Sequence, residues 1–232
     1  MTETQLRNSV VDIMKQWVGC KTGDKTQRSI IKTYNSIKPL PMGYKLSYNE
    51  AWCAATISAA GYLAGLQDIC YPHMNCGSLV SLYKKHGRWV EDDAYVPSPG
   101  DFVIFYWKDN GVGDCTSHAS HVGIVEWCDG KKFGTIEGNM GVGVCGRRTM
   151  EVNGKYIRGF CCPDYASKAT KGETEEICYH VFEEIPEWAK YDIKDLIDSG
   201  ALKGANGDLN LSDDMMRSLI ISKRYADNNI EK

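Results

Sequence analysis

A cysteine becomes a nucleophile when its thiol is ionised and a base stands beside it. Of the ten cysteines in this 232-residue chain, Cys53 has the neighbours for that chemistry. It follows Trp52 in the first turns of an alanine-rich run, Ala51–Ala64, and a helix N-terminus there favours thiolate over thiol. His121 opens the segment Ser120-His-Val-Gly-Ile-Val-Glu. Read as a strand, this puts His121, Gly123 and Val125 on one face, and the glycine leaves space beside the imidazole. His118, in a loop among Ser, Thr and Ala, is the rival base. Glu137 and Asn139 close the next strand in Ile136-Glu-Gly-Asn and face the same way. The chemistry expected of this set is acyl transfer. Cys53 attacks a carbonyl as thiolate, and His121 takes the thiol proton and returns it to the leaving amine. Glu137 fixes the imidazole tautomer, with Asn139 as a neighbouring polar anchor. The Cys53 backbone N–H is one oxyanion donor; Tyr48 or Asn49 is the candidate for a second.

This assignment constrains the strand register. A two-residue hairpin loop at Asp129-Gly130 would pair His121 with Gly138 and turn Glu137 and Asn139 to the wrong side of the sheet. A three-residue loop, Asp129-Gly130-Lys131, sets His121 opposite Asn139 and diagonal to Glu137. Catalysis by these residues therefore requires an odd loop or a bulge.

The elements that would hold these side chains follow from periodicity. Leu6, Val10, Ile13, Met14 and Trp17 recur at helical spacing over residues 4–18, whereas residues 19–47, rich in Gly, Lys, Thr and Pro, read as loop. Ser47-Tyr-Asn-Glu50 has the pattern of a capping box ahead of the small-residue helix, and Asn75 caps another from Cys76 to His86. After Pro97 the period becomes that of strands: Asp101–Trp107, Ser120–Trp127, Lys132–Glu137, Arg147–Val152 and Tyr156–Cys161. Turn signals stand at Asp109-Asn-Gly, Asp129-Gly, Gly138-Asn and Asn153-Gly. Helices followed by an antiparallel meander predict an α+β fold. A polar stretch then leads to two amphipathic helices, one with Ala189, Ile193, Leu196 and Ile197 on its face. The other is capped by Ser212, carries Asp213 and Asp214 in its first turn, and presents Met215, Met216, Leu219 and Ile220.

Composition excludes several classes. No run of 18 or more apolar residues occurs, so no membrane insertion is expected. Met1-Thr-Glu-Thr-Gln-Leu-Arg lacks the pattern of a secretory signal, so synthesis and retention in the cytoplasm are expected unless another device releases the chain. The net charge is −3, with 7 basic and 14 acidic residues in 173–232, and no basic stripe for nucleic acid appears. The cysteines show no C-x2-C pair of the kind zinc sites use, and most read as small reduced apolar residues. Asp109, Asn110 and Asp114 lack the spacing of a calcium loop and read as a turn.

Four segments in order, Tyr48-Asn-Glu-Ala-Trp-Cys-Ala, Pro97-Ser-Pro-Gly-Asp, Ser120-His-Val-Gly-Ile-Val-Glu and Ile136-Glu-Gly-Asn, resemble the CHAP (cysteine, histidine-dependent amidohydrolase/peptidase) domains of peptidoglycan hydrolases, within the papain-like NlpC/P60 group. The resemblance covers residues 5–165. It implies a papain-like α+β fold, N-terminal helices packed on an antiparallel sheet, with Cys53 as nucleophile, His121 as base, Glu137 as orienter and Asn139 as accessory residue. It also implies cleavage of an amide in the bacterial wall, between N-acetylmuramic acid and L-alanine or within the stem peptide and cross-bridge. The expected partner is then peptidoglycan, reached at the wall after release, as by an endolysin. No cofactor and no metal are expected, because the calcium-binding Asp-rich loop of some relatives has only one aspartate in the matching stretch Cys20–Lys25. Trp52 and Trp107 are candidates for substrate contact, and Trp127 also flanks the cleft in sequence; core packing is the competing reading for all three and the one favoured. The expected organisation is a catalytic domain over 1–165, a linker over 166–182 and a C-terminal two-helix module over 183–232, for wall targeting, assembly or docking. Rival readings are a cytoplasmic amidase on a small peptide conjugate, a host-directed effector acting on protein, and an inactive wall-binding module.

Overall fold

Hydrophobic spacing builds the helices first. A computed structural model describes residues 1–170, 178–204, 208–212, 215–220 and 222–223. Helix α1 (Glu3–Trp17) is closed at its start by Thr2, whose hydroxyl accepts from the Gln5 N–H while Gln5 reaches back to the Thr2 N–H. It buries Leu6, Val10, Val11 and Met14. Residues 19–47 are not all loop. Asp24 caps a second helix, α2 (Lys25–Ser36), which buries Gln27, Ile30, Ile31 and Tyr34. Its polar residues hide the period, but those four buried positions lie at helical spacing.

Helix α3 (Cys53–Leu63) is buried almost all round, from Cys53 to Gly61, and its small side chains let α1, α2 and two strands approach it. The expected capping box does not cap it. The Glu50 carboxylate accepts from the Ser47 N–H at 2.6 Å in a turn that precedes α3, and the N-cap is Trp52, with no side-chain cap. The first N–H groups of α3 are thus left for other partners. A short helix α4 (Gln67–Cys70) leads to α5 (Cys76–Lys85), which Asn75 caps by accepting from the Ser78 N–H.

The strands β1 (Trp89–Val90), β2 (Phe102–Phe105), β3 (His121–Cys128), β4 (Lys132–Met140), β5 (Val144–Glu151) and β6 (Ile157–Cys161) form one sheet in the order β1-β6-β2-β3-β4-β5, every pair antiparallel. Alternation divides its side chains between two clusters. Phe102, Ile104, Val122, Ile124 and Ile136 join the helical core, and Val103, Phe105, Val125, Phe133, Ile157 and Phe160 form a second cluster on the other face. Helices and antiparallel sheet together make an α+β architecture.

The β3–β4 register depends on a bulge. Near the turn, Cys128 pairs with Phe133 and Trp127 with Gly134, around the two-residue loop Gly130-Lys131. Glu126 is then skipped, so that Val125 pairs with Thr135 and Ile124 with Ile136. The odd register thus comes from a bulge and not from a three-residue loop. The Gly138-Asn139 turn signal is misplaced: β4 runs on to Met140, and the chain reverses at residues 141–143.

One compact unit ends at Thr170. Helix α6 (Tyr165–Lys168) belongs to it, because Tyr165 is fully buried and its hydroxyl donates to the Gly100 carbonyl at 2.9 Å. The expected linker therefore starts too early, and residues 171–177 lie outside the described residues. The second unit is more than two helices. Strands β7 (Cys178–Tyr179) and β8 (Leu211–Ser212) pair antiparallel, on either side of α7 (Glu187–Asp198). Ile185, Ala189, Ile193, Leu211, Met216 and Ile220 form its core, while Met215 is exposed. The Ser212 hydroxyl accepts from the Met215 N–H, as a cap would; Asp213 and Asp214 lie outside the described residues.

Candidate active site

Cys53 is the first residue of α3, 7% exposed, and its N–H donates to no described group. Its thiol lies well below the ordinary thiol range. The largest cause is a hydrogen bond from Cys76, whose sulfur is 3.8 Å away. Burial opposes ionisation, while a hydrogen bond and the charge of His121, and the Ala54 N–H, favour it.

His121 starts β3, 7% exposed, directly across from Phe105 of β2. Burial pulls its imidazole down, but the sulfur of Cys53 and the carboxylate of Glu137 outweigh that and carry it up to about 9. Both shifts favour the same pair of charges, thiolate on Cys53 and imidazolium on His121. Nε2 lies 3.1 Å from Glu137 Oε2, off the line of an aligned hydrogen bond. With Nε2 turned to Glu137, Nδ1 is the nitrogen left for the sulfur.

Glu137 is fully buried, yet its carboxyl stays below the usual range, because His121, Arg148 and Thr135 compensate for burial. Thr135 Oγ1 donates to Oε1 at 2.6 Å, and Arg148 grips both oxygens, Nε to Oε1 at 2.9 Å and Nη2 to Oε2 at 3.1 Å. Gly123 makes this possible. A Cβ there would lie 2.6 Å from Glu137 Cγ, so the space on the histidine's own face holds the Glu137 side chain. Gly138 serves the opposite face, where a Cβ would meet Thr56 Oγ1 of α3 at 2.2 Å.

The other expected residues fare differently. Asn139 sits in the left-handed region at φ 60°, where the β4–β5 register shifts, and makes no side-chain hydrogen bond to His121 or Glu137 among the described residues. Arg148 has the anchoring place expected of Asn139. Trp52 is not a substrate surface: it is fully buried, and its Nε1 donates to Thr22 Oγ1 at 3.0 Å. Trp107 is 39% exposed, stacks 4.9 Å from Phe105, lies 5.9 Å from the His121 ring and receives the Arg148 guanidinium at 4.9 Å. Trp127 is at the far end of β3, about 20 Å along the strand. Tyr48 packs under Arg28, its carbonyl accepting from Gln27 Nε2, and Asn49 is exposed; neither side chain hydrogen-bonds to Cys53. His118 is exposed in the loop before β3 and makes no side-chain hydrogen bond among the described residues. Asp109 and Asn110 spend their side chains on turn N–H groups of Gly111, Tyr156 and Val112.

Two residues escaped the sequence. Arg148 pairs with Thr135 across β4–β5, and only that register shows it beside Glu137. Cys76 directly follows the cap Asn75, so its place at a helix start was legible, but its approach to Cys53 was not.

Compared with known proteins, the sequence matches no family model and no curated protein.

Proposed function

We propose that this chain is a cysteine hydrolase with a papain-like CHAP fold, cleaving amide bonds of bacterial peptidoglycan. One observation carries the reading: His121, whose charge favours the thiolate of Cys53 at the start of α3, has its Nε2 3.1 Å from the buried carboxylate of Glu137. The thiolate attacks the amide carbonyl. The developing oxyanion meets the unspent Cys53 N–H. Imidazolium protonates the leaving amine, and the neutral ring then activates the water that hydrolyses the thioester. Glu137 keeps the ring oriented and compensates its charge, and Arg148 with Thr135 holds Glu137. Trp107 offers an exposed ring beside the imidazole for substrate to pack on. Peptidoglycan as substrate is supported by the four segments that resemble CHAP domains, and action at the wall follows from that substrate.

The test is to incubate the protein with Gram-positive sacculi and follow turbidity and newly released amines. Cys53→Ala is expected to lose the chemical step by on the order of a thousandfold. Clearance by the variant equal to that of the parent refutes the nucleophile. Inert sacculi together with hydrolysis of a small peptide conjugate move the substrate from the wall to a soluble amide.

A further inference from the structure

Cys76 opens α5 as Cys53 opens α3, and the two sulfurs lie 3.8 Å apart. We propose that Cys76 is a resolving thiol, and that peroxide converts the Cys53–Cys76 pair into a reversible disulfide that closes the site and protects its nucleophile. The inference rests on Cys53 being the reactive thiol of the proposed hydrolase.

Geometry favours this pair over other cysteines. A disulfide needs sulfurs about 2.05 Å apart, so an approach of roughly 1.8 Å is required, within reach of side-chain rotation at two helix starts. Both residues keep slight exposure, 7% and 8%, whereas Cys161 has none. Their roles are also unequal: Cys53 carries the negative charge, and hydrogen bonding to it together with burial keeps the proton on Cys76. A thiolate that reacts first and a protonated neighbour that reacts second is the arrangement of a peroxide-sensing pair.

The steps balance. The Cys53 thiolate attacks one oxygen of hydrogen peroxide; the O–O bond breaks, sulfur is oxidised by two electrons to sulfenic acid, and the departing hydroxide takes the His121 proton to become water. Cys76 then loses its proton as its sulfur attacks that of Cys53. The S–S bond forms, the S–O bond breaks, and the hydroxyl leaves as water. A dithiol reductant returns two electrons and two protons and restores both thiols.

Cys20 and Cys145 are a built-in comparison. They are held together by backbone hydrogen bonds, Cys145 N–H to Cys20 O at 2.9 Å and Gly19 N–H to Cys145 O at 2.8 Å, and hydrogen bonding to Cys20, burial and the nearby Glu137 charge hold the proton on Cys145. The experiment treats the reduced full chain with graded hydrogen peroxide, blocks remaining thiols with iodoacetamide, and reads intact mass and the peptide map. The expected result is loss of two hydrogens with Cys53 joined to Cys76, reversed by dithiothreitol. Cys76→Ser is expected to leave Cys53 as a sulfenic acid that dimedone captures and that goes on to sulfinic acid. A map joining Cys20 to Cys145 with Cys53 still free overturns the proposal, as does direct formation of sulfinic acid on Cys53 of the parent chain. The parent map decides the matter even if the variant folds poorly. Because it reads thiols and not hydrolysis, its outcome stands apart from that of the sacculus assay.

Discussion

From Cys53 to Arg148 the charges of the site alternate in sign: thiolate, imidazolium, carboxylate, guanidinium. Each buried charge has a partner of opposite sign, which keeps the set ionised at low exposure. The active form needs Cys53 deprotonated and His121 protonated. The kcat/KM profile should therefore be bell-shaped, with an acid limb well below the ordinary thiol range and an alkaline limb near 9, as His121 loses its proton. Arg148→Ala leaves the Glu137 charge without its fork and should cost about 3 kcal/mol of stability, read by denaturant unfolding. Asn139→Gly should change stability and activity by less than about 0.5 kcal/mol, since glycine takes φ 60° freely and no contact to His121 is lost. Asp93 behaves oppositely to Glu137. Its Oδ1 is buried without a partner, and burial, with Asp114, Asp109 and Asp92 nearby, pushes the carboxyl up to about 6. A folded value above the unfolded one stabilises at low pH, and that contribution is lost as pH rises through about 6. Asp93→Asn should thus raise stability at pH 8 by on the order of 1–3 kcal/mol and leave it unchanged at pH 4, compared by thermal melts.

Among the elements, β3 and β4 are where position becomes chemistry. The bulge at Glu126 selects the face for Glu137, and Gly123 clears the space it fills. Gly123→Ala should displace Glu137 and depress kcat far more than it lowers Tm. Gly138→Ala, which collides with Thr56 of α3, should lower Tm with a smaller separate effect on kcat. Equal ratios of rate loss to Tm loss in the two variants would contradict this division. Much of this was legible. Alternating strands and the amphipathic α1 show their period directly, Asn75 marks the start of α5, and Cys53 and His121 stand at element starts, whereas Glu137 lies inside β4, which runs on to Met140. Helix α2 was not, because only Gln27, Ile30, Ile31 and Tyr34 face inward amid lysines and threonines. Arg148 and Cys76 were not, because each acts across a long sequence separation that only the register and the helix packing bring together. Trp52 reads either as a cleft aromatic or as core, and core is the outcome: α3 is buried almost all round and takes its N-cap inward with it.

For the whole molecule, every residue of the site lies in the first unit, which has its own two hydrophobic clusters; the second unit has a third. Cys53 as an ionised nucleophile paired with His121 is tested most directly by its alkylation with iodoacetamide across pH, in the parent chain and in His121→Ala. The parent should react at pH values well below those at which ordinary thiols do, and His121→Ala should shift the titration upward. A Cys53 that titrates like an unperturbed thiol in both chains, at about 8.5, would contradict it.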